Sequence, residues 1–299
     1  MFAISEEAKK RVYEIFNRTE EMVKEDAQTV KEWMKSQPHL PEILSDTQIK
    51  NFLNLNKFSL EKAKQKIDMY YTMRSLMADF YSVSNPKLER TQRLLDKMHV
   101  CTFPEALDGI HRVIFIKVKE SDVLDMETFT ALLFAVFEVR IHEDFMFSDI
   151  LILDMENVSL NDVRKVTPSL LKQPIILYQK IYSFRLKKLY FVNSSPFISS
   201  LISLLKMILK PKLFERVEIH EDDQILYEVF TDDQRPKEFG GKGPSLQELS
   251  DNMRKKFSDY QERFDLLDTL RIDESLRPEK LDNDEILGFY GHFRKLDID

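Results

Sequence analysis

Short apolar runs alternate with longer helical patterns through the middle of this chain, and that alternation limits its possible folds more than any other feature. The apolar runs predict strands over residues 113–118, 149–153, 189–192 and 217–219. The segments between and after them predict helices over 126–143, 162–182 (broken near Pro168 and Pro174), 196–209 and 223–230. Strands joined through helices are typical of a mainly parallel sheet with crossover helices, so the sequence predicts an α/β fold.

Helical patterns also occupy the two ends of the chain. They predict helices over residues 6–35, 45–55, 59–80 and 246–267. Ser45 or Asp46 is the expected N-cap of the second helix, and Ser59 is the expected N-cap of the third. We therefore divide the chain into a helical N-terminal region (1–84), a central α/β domain (85–245) and a C-terminal helical segment with a polar tail (246–299).

The predicted helix over residues 196–209 is apolar on almost all sides. Its polar residues repeat at spacings of four and three and form one narrow stripe, which comprises Ser199, Ser203, Lys206 and Lys210. Such a helix is either buried on most sides, or it covers an apolar space and can meet a membrane. Cations on both sides of the segment favour the second alternative, because Lys and Arg beside an apolar surface attract anionic headgroups.

Composition excludes several classes of protein. With 299 residues, of which 43% are apolar, the chain can bury a full-sized core. A net charge of -7 argues against a general nucleic-acid binder. The single cysteine, Cys101, permits no intramolecular disulfide and suits a reducing compartment. No apolar segment of a secretory signal stands near Met1, and the longest uncharged run, 189–205, is too short and interrupted to span a bilayer.

Sequence signatures of catalysis are missing. Neither a Gly-rich phosphate-binding motif nor a Gly-x-Ser-x-Gly nucleophile motif occurs. The histidines are scattered without zinc-ligand spacing, and they are His39, His99, His111, His142, His220 and His292. We interpret 142–144 (His-Glu-Asp) as a solvated helix end, and Asp154 with Glu156 as cap or turn residues. The sequence thus predicts no enzyme, no metal site and no cofactor.

A family resemblance rests on motifs in both halves of the chain. The motifs are FRLKKLYFVN (184–193), Pro196-Phe197, Lys210-Pro211, Glu215-Arg216 to His220, RPKEFGG (235–241), and upstream FLNLNKFSLEKA (52–63), Leu107-Asp108-Gly109, residues 113–117 and VTPS (166–169). Together they resemble the CRAL-TRIO (Sec14-like) lipid-binding domain family, and within it the branch of α-tocopherol transfer and retinaldehyde-binding proteins. Residues 273–278 and 293–299 are similar to the tails of arthropod members.

The resemblance implies a sheet that floors an apolar pocket, with the helix over 196–209 as a mobile gate. By matching position it implies pocket residues Leu132, Ala135, Val136, Leu153, Val166, Leu170, Leu177, Tyr178 and Tyr182, with Phe197, Ile198, Leu201 and Ile202 in the lid. It also implies a phosphoinositide-binding patch formed by Arg185, Lys187, Lys212 and Arg216.

These features lead to one hypothesis about function. The chain is expected to be a monomeric cytoplasmic carrier that encloses one lipophilic molecule, such as a tocopherol, retinoid or carotenoid, and exchanges it at phosphoinositide-containing membranes. A phosphatidylinositol or phosphatidylcholine exchange protein is an alternative. A membrane-recruited scaffold with a non-functional pocket is another.

Overall fold

The structure, a computed structural model, describes residue 2 and residues 4–183 and 185–278. Its α-helices are α1 (Glu6–Ile15), α2 (Glu20–Lys35), α3 (Asp46–Leu55), α4 (Leu60–Leu76), α5 (Ala78–Ser82), α6 (Glu89–Lys97), α7 (Met126–Glu143), α8 (Leu160–Lys165), α9 (Pro168–Ile181), α10 (Ser199–Ile208), α11 (Pro211–Phe214), α12 (Ile225–Val229), α13 (Leu246–Asp259) and α14 (Gln261–Thr269). Its strands are β1 (Met98–Thr102), β2 (His111–Val118), β3 (Ser148–Asp154), β4 (Leu186–Val192) and β5 (Val217–Ile219). Short 3₁₀ turns occupy Pro196–Ile198, Lys237–Phe239 and Glu274–Leu276.

The strands form one sheet in the order β1-β2-β3-β4-β5. From β2 onward all neighbours are parallel, and β1 pairs antiparallel with β2. This topology confirms the predicted α/β fold with a mainly parallel sheet. Strand β1 was not predicted. Its sequence is MHVCT, in which His99 separates Met98 from Val100, so the apolar run is too short to identify as a strand.

Strand alternation divides the sheet into two faces that pack differently. The closed face, covered by α12 and α13, carries Cys101, Val113, Phe115, Ile150, Ile152 and Tyr190. The other face, covered by α7, α9 and α10, carries Ile114, Ile116, Leu151, Leu153, Leu189 and Phe191. Successive side chains of a strand point to opposite faces, so both sets follow from the same apolar runs.

The N-terminal helices form a bundle that packs on α7 and α9 through α3 and α4. Of the two candidate caps Ser45 and Asp46, it is Ser45 that caps α3, in a capping box with Gln48. Ser59 caps α4, as the sequence predicted. The single helix predicted over 6–35 was wrong: α1 ends at Ile15, Asn17 takes a positive φ of 52°, and Thr19 caps a new helix. A non-glycine residue in that conformation breaks a helix, and asparagine tolerates it better than most.

Three other predicted helices are also divided. The pattern over 59–80 forms α4 and α5, which separate at Met77. The pattern over 162–182 forms α8 and α9, which separate before Pro168 as predicted, whereas the break predicted near Pro174 was wrong because Pro174 stays inside α9. The pattern over 246–267 forms α13 and α14, which separate at Tyr260. No helix in the described part of the chain is both long and apolar enough to cross a bilayer.

A buried charged cluster connects α4 and α14 to α7. The Glu138 carboxylate accepts hydrogen bonds from Tyr70 (2.7 Å) and Arg74 (3.0 Å) of α4 and from Arg263 (3.1 Å) of α14. Burial alone would raise the pKa of Glu138, but the hydrogen bond with His142 and the charges of Arg74 and Arg263 hold it well below its usual range. This cluster fixes the position of α7 from the side that faces away from the sheet.

The interpretation of residues 142–144 as a solvated helix end was wrong for Asp144. Its carboxylate is buried and accepts hydrogen bonds from Arg112 of β2 (2.6 Å) and Arg140 of α7 (2.9 Å). Arg140 in turn donates to Asp149 at the start of β3 (2.6 Å). Arg112 and Arg140 are buried, and a buried cation is stable only beside an anion. Asp144 supplies that anion, so the C-terminal end of α7 packs against the sheet.

Cys101 is a core residue. Its side chain is fully buried on the closed face, with the sulfur 3.3 Å from the Leu246 carbonyl and 3.3 Å from the Ser250 hydroxyl. Burial raises the pKa of the thiol to about 12. A thiol in that state is neither a ready nucleophile nor a ready metal ligand.

Candidate functional site

An apolar cavity of about 290 Å³ lies between the sheet and the helices that cover it. The floor comes from strand residues Ile114, Ile116, Leu151, Leu153, Leu189 and Phe191. The walls come from Phe129, Leu133 and Phe137 of α7 and from Leu170, Leu171, Pro174, Ile175 and Tyr178 of α9. A cavity of this size is close to the lower end of the range that small-molecule sites occupy.

Few polar side chains line the cavity. They are Thr130 of α7, Asp154 at the end of β3, and Tyr178 and Gln179 of α9. Asp154 is neutralised by Lys117, whose ammonium donates to it at 2.7 Å, and it also accepts from the Asn193 amide at 3.0 Å. No lysine or arginine lines the cavity in the described part of the chain. The arrangement suits an uncharged apolar molecule.

Five of the predicted pocket and lid residues line this cavity. They are Leu153 on the floor, Val166 and Leu170 beside it, Tyr178 on α9 and Leu201 on α10. The Tyr178 ring stacks on Phe134 with centroids 4.2 Å apart, and burial raises the pKa of its hydroxyl well above the usual value. Tyr178 is thus held as a neutral wall residue.

The residues predicted on α7 do not line the cavity. Leu132, Ala135 and Val136 are buried in the core on another side of the helix. The cavity is lined instead by Leu133 and Phe137, each one position further along. One residue turns a helix by about 100°, and α7 is apolar on nearly every side, so its composition does not reveal which side faces the cavity.

The remaining predictions also fall outside the lining. Leu177 and Tyr182 of α9 are fully buried against the N-terminal bundle, where the Tyr182 ring stacks on Phe52 and Phe137. In the lid, Phe197, Ile198 and Ile202 pack in an apolar cluster with Met155 and Val163, beside the cavity and outside its wall. The short 3₁₀ turn at Pro196–Ile198 places the first two of them ahead of the helix proper.

Helix α10, which we call the gate, has an inner and an outer side. Leu201, Leu205 and Leu209 recur every four residues and face the cavity. The predicted polar stripe is exposed at all four positions: Ser199, Ser203, Lys206 and Lys210. Met207 is 72% exposed on this outer side. Pro211 follows at the first position of α11 and ends the gate.

Several lining residues were not predicted from the sequence, although its spacing pattern contains them. Leu205 and Leu209 continue the spacing of four that begins at Leu201, and Leu213 of α11 lies beside them. This spacing is the signal that would have found the first two. Pro174 had been interpreted only as a helix breaker, and it lines the cavity from inside α9.

The four predicted phosphoinositide residues lie at one end of the sheet. Arg185 directly precedes β4, Lys187 lies near its start, Lys212 belongs to α11, and Arg216 directly precedes β5. Because β4 and β5 are parallel and adjacent, their first residues meet at the same edge. The fold therefore brings both pairs together, beside the last turn of the gate.

The four cations differ in the hydrogen bonds that they form within the protein. The Arg185 guanidinium donates to the carbonyls of Asn54 (2.9 Å) and Leu55 (3.3 Å) at the end of α3, and it lies over the ring of Phe147. Burial lowers its pKa to about 10. Arg216 donates to the Leu186 carbonyl.

Lys187 and Lys212 are exposed, and neither forms an ion pair within the described residues. The lysines are thus the two members of the set whose charge is available at the surface. The arginines hold parts of the backbone together.

The fold and cavity together define a class of protein: α/β domains in which a helical gate covers an apolar cavity on one face of a mainly parallel sheet. The profile of the CRAL/TRIO domain family matches residues 96–241, and the profile of the Pinta-like, UBA domain family matches residues 19–96. The chain therefore carries a CRAL-TRIO lipid-binding domain behind an N-terminal Pinta-like domain.

Curated relatives agree with this assignment. Clavesin-1 of Rattus norvegicus is 28% identical over 241 residues, which are 76% of this chain and 66% of that protein. A protein of Homo sapiens named alpha-tocopherol transfer protein-like is 24% identical over 229 residues, which are 74% of this chain and 66% of that protein. The match thus spans about two thirds of the length of each relative. A solved structure, the crystal structure of Sfh5, aligns with a TM-score of 0.49 at 16% identity over 83% of this chain and 92% of that one.

Proposed function

We propose that this protein is an intracellular, non-enzymatic carrier that holds one small lipophilic molecule in the cavity and transfers it at phosphoinositide-containing membranes. The observation that carries the proposal is the apolar cavity of about 290 Å³ beneath the gate. A water-insoluble molecule gains about 25 cal/mol for each Å² of apolar surface that it buries there. Such a ligand is retained in water and leaves when the gate opens.

The lining favours an uncharged ligand over a phospholipid. A phosphate group enclosed in this cavity would have no lysine or arginine beside it among the described residues, and its burial without a partner would be costly. Among the described residues, the charged group in the lining is Asp154, an anion already paired with Lys117. We therefore place tocopherols, retinoids, carotenoids and similar neutral molecules ahead of phosphatidylinositol or phosphatidylcholine.

The outer side of the gate supports a role at membranes. Met207 projects into solvent beside Lys206 and Lys210, and the Lys187 and Lys212 side chains lie exposed at the same end of the sheet. An apolar side chain among cations is attracted to an anionic lipid surface. Opening the gate in water exposes leucines, whereas opening it against a bilayer does not, so the membrane would favour the open state.

A matched pair of variants in the gate tests the carrier function. Leu201→Asp places a charge at the cavity wall and should abolish retention of the copurified ligand, because a buried unpaired carboxylate is unfavourable. Met207→Asp places the same charge on the exposed outer side of the same helix and should leave ligand content unchanged. Native mass spectrometry of both proteins measures the bound ligand and its mass.

The outcomes also separate the alternatives. A mass matching phosphatidylinositol or phosphatidylcholine would support the exchange protein in place of the proposed carrier. A parent protein with no bound lipid and no transfer activity between vesicles would support the scaffold. Full ligand retention by a folded Leu201→Asp variant would contradict the gate assignment.

A second experiment tests the phosphoinositide patch. The double variant Lys187→Gln and Lys212→Gln should weaken co-sedimentation with vesicles that contain phosphatidylinositol bisphosphate by roughly thirtyfold, since each cation near an anionic surface contributes about 1 kcal/mol. Low ionic strength is used because salt screens such contacts. The control, Lys119→Gln with Lys255→Gln, removes the same charge from exposed positions elsewhere. Equal binding by both double variants would show that the patch is an ordinary solvated surface.

A further inference from the structure

Pro174 creates an unusual polar group in the cavity wall. It lies in the interior of α9, and both Pro174 and Leu170 line the cavity. In an α-helix the amide of each residue donates to the carbonyl four positions earlier, and proline has no amide hydrogen. The Leu170 carbonyl therefore lacks its ordinary helical donor, on the flank of α9 that faces the cavity.

A hydroxyl group lies across the cavity at the same level. Helices α7 and α9 both connect parallel strands, so they run in the same direction along the sheet. Phe134 of α7 and Tyr178 of α9 are in contact, with ring centroids 4.2 Å apart. One turn back along each helix gives Thr130 and Pro174, and both of these residues line the cavity.

The Thr130 hydroxyl is available to a ligand. The residue is only 4% exposed, and its hydroxyl makes no hydrogen bond with any other group that the structure describes. A hydroxyl or a carbonyl that faces an apolar cavity forgoes the hydrogen bond that water would provide, which is a cost for each group. A ligand hydroxyl placed between the two groups would remove both costs, because its hydrogen can bond to the carbonyl and its oxygen can accept from Thr130.

We propose that Thr130 and the Leu170 carbonyl freed by Pro174 form a binding site for a hydroxyl group, so that the preferred ligand is a neutral lipid alcohol. The ligand hydroxyl donates its hydrogen to the Leu170 carbonyl, and its oxygen accepts the hydrogen of Thr130. The rest of the ligand lies along the apolar walls. This inference rests on the proposed function, since it names the class of molecule that the cavity takes.

The test compares all-trans-retinol with its methyl ether, which has nearly the same shape and no hydroxyl hydrogen. Fluorescence titration measures both dissociation constants. The parent protein should prefer retinol by roughly three- to tenfold, the value of one net hydrogen bond. Pro174→Ala restores an amide that donates to the Leu170 carbonyl and should remove most of that preference. Thr130→Val, which keeps the side-chain shape, should lower the affinity for both ligands in parallel, because the ether oxygen can also accept the hydrogen of Thr130.

Helix α9 also contains its own control. Pro168 is the first residue of the helix, where a missing amide hydrogen leaves no carbonyl without a donor. Pro168→Ala should therefore keep the full preference for retinol. A change of packing alone would alter the affinity for the two ligands in parallel, so the ratio of affinities reports on the hydrogen bond.

Failure of the site and failure of the carrier function give different results. Equal affinity of the parent for retinol and its ether, or an undiminished preference in Pro174→Ala, would overturn the hydroxyl site while the carrier function stands. A parent that binds neither compound and carries no lipophilic ligand after purification would overturn the carrier function itself.

Discussion

The two faces of the sheet carry similar residues and have different interiors. On β3, Ile150 and Ile152 point to the closed face and are buried among side chains from α12 and α13. Leu151 and Leu153 alternate with them, point to the opposite face and are only half-buried, because they border the cavity. Along this one strand, the side chains on the closed face are densely packed, and the side chains on the opposite face border an open cavity.

The difference arises from the covering helices. On the closed face, aromatic residues fill the space above the sheet, as Phe239 does over Phe115 with ring centroids 5.4 Å apart. On the other face, α7 is held from its far side by the Glu138 cluster, and the gate covers the remaining gap. Protein interiors normally pack densely, so an open cavity would collapse unless its walls were held in place by contacts outside it. The Glu138 cluster provides such contacts for α7.

The largest effect is expected from a pair of truncations on β3. Ile152→Ala should lower the free energy of unfolding by about 4 kcal/mol, because it leaves a new hole in a packed core. Leu153→Ala should cost about 2 kcal/mol, because its side chain already borders empty space and makes fewer contacts. Urea unfolding of both ligand-free proteins measures the difference.

The two side chains are isomers, so their transfer from water contributes similarly to both values. Equal losses for Ile152→Ala and Leu153→Ala would mean that the cavity face collapses in solution and that the contrast between the faces is absent.

The sequence predicted the features that depend on local pattern. The positions of four strands, the cap at Ser59 and the exposed stripe from Ser199 to Lys210 follow from the local pattern, and the structure has them. The family resemblance named Arg185, Lys187, Lys212 and Arg216 as one patch, and in the structure the four residues lie at one end of the sheet.

The features that depend on tertiary packing were not predictable in the same way. Leu132 and Leu133 are chemically identical, and only the position of the neighbouring helices decides which of them borders the cavity. The engagement of Arg185 by the carbonyls of Asn54 and Leu55 joins residues about 130 positions apart, for which the sequence carries no local signal. The break at Asn17 is conformational and leaves the apolar spacing intact.

A filling substitution gives a smaller effect that sharpens the comparison. Leu153→Phe should change the free energy of unfolding by less than about 1 kcal/mol, because the cavity accepts the added atoms, and it should reduce the affinity for retinol. Ile152→Phe, in the packed core, should cost about 1–3 kcal/mol and leave that affinity nearly unchanged. Thermal unfolding and retinol titration check the two halves. Retinol binding that survives Leu153→Phe unchanged would place the ligand elsewhere.

The smallest expected effect concerns two histidines associated with the closed face. His99 of β1 bonds to Ser250 of α13 at 2.9 Å, and His111 of β2 bonds to Ser148 of β3. Burial, assisted by Lys119 for His99 and by Lys187 for His111, lowers each pKa from 6.5 to about 4. Between these values the unfolded chain binds protons that the folded protein does not, so stability falls as pH decreases from about 6.5 towards 4.

Replacing both histidines with glutamine should flatten the pH dependence in this window. Glutamine keeps a polar group near each serine and does not titrate. Urea unfolding between pH 7 and pH 5 measures the slope, in a range where most carboxylates remain ionised in both states. Parallel slopes for the double variant and the parent would show that both imidazoles are protonated as readily in the folded protein as in the unfolded chain. Water would then reach both histidines, and the dense packing of the closed face would not include the positions of His99 and His111.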